Sequence, residues 1–330
     1  EEDWKKPRWW FQWVPIALVF LGGLYITLTV GKSVSMFAEA RGQNWIETLN
    51  IAVQTWVQYA RMLLVPNQLS LFYSEPTVLS WSNGTVIFGC LIGFAVLIFP
   101  IFVFKRNPLL SLSIWLIPLG LLPVSQISPI QNLIADRYLL LSSIGLMWCC
   151  ICLSKQSNKT HIALIIISII YSKWTMDRIL VFQDSKSLWT DVIQKQPKEI
   201  RGWISLASLY RDEGDLDSTQ TVLDEAKELF PDSPRIDLAL GLLTQKKGDI
   251  PTARILLKKA WNSDKDLRIA AYNWMILEKK DNPKLSYTIG QELTSVHPLY
   301  SKGWNGLGMA CMELKEWNCA YESFQRCIEL

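Results

Sequence analysis

Gly202–Pro231, GWISLASLYRDEGDLDSTQTVLDEAKELFP, and Gly303–Leu330, GWNGLGMACMELKEWNCAYESFQRCIEL, are the two stretches that decide the fold. Laid side by side, Trp203 meets Trp304, Leu206 meets Leu307, Ala207 meets Gly308, Leu223 meets Phe324 and Ala226 meets Cys327. Between them, DLALGLLTQKKGDIPTARILLKKAWNSD (Asp237–Asp264) supplies Leu240, Gly241, Gly248-Asp249, Ala253, Leu257 and Ala260 in the same order. The recurrence, with a period of about 34 residues, describes a helix hairpin repeated along the chain. Small residues at Ala207, Gly241, Ala253, Gly308 and Ala320 let the two helices of a hairpin approach closely. Large ones at Trp203, Leu206, Tyr210, Trp304 and Phe324 fill the layer to the next hairpin. Gly214 and Gly248 stand where a first helix has to stop.

Repeats fall near 200–233, 234–267, 267–300 and 301–330, and SLWTDVIQKQP (Ser187–Pro197) reads as the closing helix of an earlier half-repeat, with Trp189 and Pro197 in place. The pattern resembles the tetratricopeptide repeat. Such an array implies an α-solenoid and a protein or peptide partner, without naming one.

The first half differs in composition. Residues 1–180 hold 13 Lys/Arg against 8 Asp/Glu, residues 181–330 hold 20 against 22, and the whole chain carries +3. So small and dispersed a charge argues against nucleic acid. Apolar runs at Val14–Val30, Val86–Phe104, Leu109–Val124, Tyr138–Leu153 and Ile162–Ile179 approach the roughly 20 residues that a bilayer demands. The sequence therefore predicts an all-α chain: a polytopic membrane helix bundle over 1–183, with about five spans, followed by the tetratricopeptide solenoid over 184–330. Trp45–Val65 carries Glu47, Asn50, Gln54, Gln58 and Arg61, which suits an interfacial or re-entrant helix. Lys5, Lys6 and Arg8, then Lys105-Arg106, then Lys155 and Lys159 all reach the cytoplasmic side if that segment does not cross. Residues after the last run are then extracytoplasmic, and the expected setting is a bacterial inner membrane with lipid contacts and a larger membrane complex. The chain starts at Glu1 and stops inside a helical pattern, as a segment of a longer protein would.

Seven cysteines at these spacings suggest no disulfide framework and no metal site, and packing is the expected role of Cys311, Cys319 and Cys327. His161 and His297 read as structural, and no complete catalytic constellation is visible. Asp136-Arg137-Tyr138, at the start of an apolar run, is the one candidate site. It suits an interface anchor. It also suits a guanidinium fork that grips a lipid-linked phosphate, with Asp136 orienting Arg137. Arg61 and Arg178 fall on the same expected membrane face.

LLPVSQISPIQNLIADRYLLLSSIG (Leu121–Gly145) and YARMLLVPNQLSLFY (Tyr59–Tyr73) resemble two segments of the transmembrane and tetratricopeptide-repeat O-mannosyltransferases and their bacterial relatives. Arg137-Tyr138-Leu139 keeps the family's core, while Asp136 replaces its Glu. Tyr59, Arg61, Leu63, Leu64, Pro66, Leu69 and Ser70 match its second motif, where Phe72 replaces an Asp. The resemblance implies a GT-C glycosyltransferase architecture and a polyprenyl-phosphate sugar as donor, with no other cofactor. Asp136, Arg137, Tyr138 and Arg61 would hold the donor phosphate. The family's catalytic acids lie in an N-terminal loop that this chain does not match, so no catalytic residue is assigned. The alternative is a non-catalytic scaffold or accessory subunit of a bacterial envelope membrane complex, docking a partner through its repeats.

Overall fold

A computed structural model describes residues 44–74, 76–121, 124, 132, 134–154 and 158–330, and among them it holds helices and turns with no strand. The chain divides into two compact units, one ending at Leu180 and one beginning at Val181. The expected Val14–Val30 span, the acidic Glu1–Asp3, the Lys5/Lys6/Arg8 cluster and most of the Pro123–Gln131 loop lie outside the described residues.

In the first unit, α1 spans Trp45–Leu64, capped by Asn44, whose side chain accepts the Glu47 N–H. Its buried stripe is Asn50, Ile51, Thr55, Tyr59 and Met62, the spacing of one helix face. Two of the polar residues that set this helix apart, Asn50 and Gln54, fasten the segment that returns over it. Asn50 donates to the Leu79 carbonyl at 3.0 Å and accepts the Leu79 N–H at 3.2 Å, and Gln54 donates to the Thr77 carbonyl at 2.9 Å. Helices α2 (Gly84–Phe104), α3 (Pro108–Leu121) and α4 (Leu140–Ser154, entered through a 3-10 turn over Asp136–Leu139) follow, each packed on the last. Helix α5 (Asn158–Val181) meets α1 where Tyr171 donates to the Leu64 carbonyl at 2.6 Å.

Helices α3 and α4 meet through small residues. A Cβ added at Gly145 would lie 2.8 Å from the Ser113 carbonyl oxygen, and Ser142 donates across to the Ile117 carbonyl at 2.8 Å. Of the expected spans among the described residues, α2 and the Asp136–Ser154 segment are long and apolar enough to cross a membrane. Helix α3 is apolar but shorter, at 14 residues. Helix α5 is long, but Lys173, Asp177 and Arg178 dilute its hydropathy.

The second unit opens with α6 (Ser185–Lys195). Four hairpins follow: α7 (Ile200–Glu213) with α8 (Leu216–Leu229), α9 (Pro234–Lys247) with α10 (Ile250–Ser263), α11 (Arg268–Glu278) with α12 (Pro283–Val296), and α13 (Ser301–Glu313) with α14 (Trp317–Glu329). Gly214 and Gly248 end α7 and α9 at φ +86° and +87°, a left-handed conformation that L side chains resist. Trp203 and Trp304 each donate from Nε1 to the carbonyl of a proline six residues back, Pro197 and Pro298, at 2.9 Å in both. The same contact made a whole number of repeats apart is what a repeated unit requires. Leu257, Trp261, Met275, Ile289 and Leu293 form the largest buried cluster, between the second and third hairpins. First helices of consecutive hairpins meet one another more closely than second helices do, so the array curves with α7, α9, α11 and α13 on its inner side.

The expectation that Cys311 and Cys319 merely pack is corrected. Their sulfurs are bonded, joining α13 to α14 with Cα atoms 5.9 Å apart.

Candidate functional site

Two surfaces carry chemistry, one in each unit. In the first unit, the loop after α1 bends back so that Tyr73 reaches the start of the apolar α4 segment. The Tyr73 hydroxyl donates to the Asp136 carboxylate, and the Ser70 N–H donates to the Tyr73 oxygen at 2.8 Å. Burial pushes the Tyr73 hydroxyl far above its ordinary pKa, and the Asp136 carboxylate beside it pushes it further. Tyr73 therefore stays a neutral donor at any physiological pH. Buried Ile51, Tyr59, Met62, Leu121, Ile134 and Leu139 surround the pair. Ser70 Oγ is buried there and makes no hydrogen bond among the described residues.

The expected phosphate-gripping residues are placed as follows. Asp136 is half-buried and engaged by Tyr73. Arg137 is exposed and lies over the neighbouring Tyr138 ring, 5.0 Å from its centroid, with a long 3.4 Å contact to the Tyr138 hydroxyl. Arg61 is exposed and donates to Gln68 at 2.8 Å across the turn that follows α1. Arg178 is close enough to Tyr73 to act on its charge. The structure thus joins Asp136 to Tyr73, the last residue of the Tyr59–Tyr73 segment, to which the sequence assigned no role. Their separation of 63 residues leaves no local signal for the pairing.

In the second unit the inner face is the candidate surface. Half-buried Leu238, Leu242, Tyr272, Ile276 and Met309 lie on its first helices, with exposed Arg235, Lys246, Arg268 and Lys302 beside them. Lys279 reaches the Met309 sulfur at 3.8 Å, and Arg268 sits 5.0 Å from the centroid of the Tyr300 ring. The acids of these helices are largely consumed internally. Asp237, 1% exposed, is held by Lys227 at 2.5 Å and Lys259 at 2.9 Å. Glu278 is buried, accepts from Trp274 Nε1 at 3.2 Å and lies 3.6 Å from Arg254. The expected packing residues are placed by the same architecture. Trp203, Leu206, Ala207, Gly241, Ala253, Gly308 and Ala320 are buried, while Tyr210, Trp304 and Phe324 are half-buried. Tyr210 stacks under Lys186 of α6, 4.8 Å away. His297 bonds the Lys265 carbonyl at 2.6 Å, a structural role.

No family model matches the chain. Tetratricopeptide repeat protein 7A of Homo sapiens is 24% identical over 160 residues, covering 48% of this chain and 18% of that protein. The chain thus spans under a fifth of that curated relative's length. Among solved structures, MamA aligns at a TM-score of 0.38 with 16% identity, over 44% of this chain and 85% of that one. Yeast Tom70 aligns at 0.42 with 15% identity, over 100% of this chain and 72% of that one. The 34-residue spacing, the paired helices and the recurring Trp-to-proline-carbonyl contact make residues 181–330 a tetratricopeptide-type helical solenoid.

Proposed function

We propose that the chain is a membrane-anchored, non-catalytic docking subunit whose repeats hold an extracytoplasmic protein segment. One observation carries this reading: the solenoid's inner face combines half-buried apolar side chains with exposed cations, while its buried acids are already paired. An extended segment with alternating apolar and acidic residues complements that face. The membrane anchor is supported by the apolar helices of the first unit and by the small-residue, serine-bonded contact of α3 with α4, a packing style suited to lipid. The parity of Lys105-Arg106 and Lys159 supports an extracytoplasmic repeat unit.

Sugar transfer from a polyprenyl-phosphate donor is the weaker reading. Phe72 stands where the resembled family has an acid, and Asp136 already accepts from Tyr73. Exposed Arg137 serves an interface anchor equally well.

The test is site-specific photocrosslinking in intact cells. A benzophenone at Leu242 or Tyr272 should give one adduct of defined mass, and the same group at outward-facing Ile255 of α10, 67% exposed, should give none. Equal adducts at both faces, or none at Leu242 and Tyr272, reject docking on the inner face. Incorporation of sugar from a labelled polyprenyl-phosphate donor, abolished by Arg137→Ala, would restore the transferase reading.

A further inference from the structure

The fourth hairpin closes differently from the first two. At its turn, Lys315 occupies the place of Gly214 and Gly248 and is held at φ +60°, a left-handed conformation unfavourable for a residue with a Cβ. Next to it, Asp215 and Asp249 cap α8 and α10 by accepting the N–H groups of Ser218 and Thr252 at 3.0 and 3.2 Å. Glu316 holds the corresponding place, and its side chain makes no capping bond to α14. This turn has lost both the glycine and the cap. Where the earlier hairpins carry Tyr210 with Ser218 and Thr244 with Thr252, this one carries Cys311 and Cys319. The 5.9 Å between their Cα atoms lies within the range a disulfide spans.

We propose that Cys311–Cys319 is a permanent structural disulfide that replaces the glycine and the aspartate cap in closing this hairpin, and that the repeat unit therefore folds in an oxidising compartment. Bonds of this kind persist outside the reducing cytosol. The oxidant is a thiol oxidase carrying its own disulfide. The half-exposed Cys319, as thiolate, attacks one oxidase sulfur and displaces the other as a thiolate. Cys311, as thiolate, then attacks the Cys319 sulfur and displaces the remaining oxidase thiolate. The chain loses two electrons and two protons, and the oxidase disulfide becomes a dithiol. Cys311 is fully buried once α13 and α14 have docked, so the exchange precedes docking. Glu316 lies within 4.8 Å of both sulfurs, which makes a metal-bound dithiolate the competing state.

The full chain, made in its own envelope and blocked with N-ethylmaleimide before lysis, is digested without reductant and mapped by mass spectrometry. The proposal expects the Cys311 and Cys319 peptides to be joined and lighter by two hydrogens. It also expects the midpoint of thermal unfolding to fall by about 5–10 °C with dithiothreitol, as for a short closed loop in a unit of this size, and the fall to vanish in Cys319→Ser. Maleimide on both sulfurs overturns it, and so does one zinc ion per chain protecting both as thiolates. The map uses the native sequence, so its outcome does not depend on a variant folding. A stapled hairpin is compatible with an array that captures no partner, so failure here and failure of the crosslinking test are separate outcomes.

Discussion

Asp215 and Asp249 show how a single side chain can give a repeat a pH dependence. Each accepts from the residue three places on, Ser218 or Thr252, and those bonds, from the side chain first and the backbone N–H second, hold both carboxyls below their ordinary range. A carboxyl lowered in the folded chain binds its proton less readily there than when unfolded. Its contribution is full above the ordinary carboxylate range and is lost as pH falls through the lowered folded values. Asn caps about as well as Asp and does not titrate. The double variant Asp215→Asn/Asp249→Asn should therefore lose less of its melting temperature between neutral and acid pH than the parent does. Parallel falls measured by circular dichroism would show that these caps carry none of the acid sensitivity. The capping signals Gly-Asp at 214–215 and 248–249 are readable in the sequence because they act within four residues. The Tyr73–Asp136 bond is not, because it depends on how a distant loop returns.

At the scale of the helix pair, close approach decides which substitutions a hairpin tolerates. A Cβ at Gly308 of α13 would sit 2.7 Å from Cε1 and 2.9 Å from Cδ1 of Phe324 on α14. An aromatic ring wedged between two helices has no flexible tip to swing aside. Gly308→Ala should cost about 1–2 kcal/mol by overpacking, after the gain in helix propensity is subtracted. Adding Phe324→Leu should recover part of it, since the narrower side chain frees the space. Urea unfolding of the four members of this cycle measures the coupling, and additive costs would place the clash elsewhere. The small-against-large pairing of Gly308 with Phe324 is legible because it recurs as Ala207 with Leu223. The Cys311–Cys319 bond is hidden by that same alignment, which sets Cys311 opposite Tyr210 and Cys319 opposite Ser218 and so makes the cysteines look like substitutes in a packing pattern. For α1, the polar residues Asn50 and Gln54 are legible as an anomaly, but their purpose, fastening residues 77–79, is not.

The two units, each taken by itself, differ in the surface they expose. Helices of the first expose Phe94, Phe102, Leu140 and Ile169 at 67, 72, 72 and 65%, an apolar surface of the kind the proposed membrane anchor needs. The second is an array rich in ion pairs. A chain built this way should stay in the membrane pellet through alkaline carbonate washing and leave it only with detergent. The proposed orientation rests on parity. Lys105-Arg106 follow α2, and Lys159 lies at the start of α5. If both turns are cytoplasmic, and if the shorter α3 and the charge-bearing α5 cross as α2 and α4 do, Val181 and every residue after it reach the opposite side. Asp232, exposed between α8 and α9, is the place to ask. Asp232→Cys, in a chain whose half-exposed Cys327 is replaced by Ser, should react in intact cells with a maleimide that cannot cross the inner membrane. Labelling confined to inverted inner-membrane vesicles would place the repeats in the cytoplasm. It would also remove the setting in which an inner-face partner outside the cell could be met.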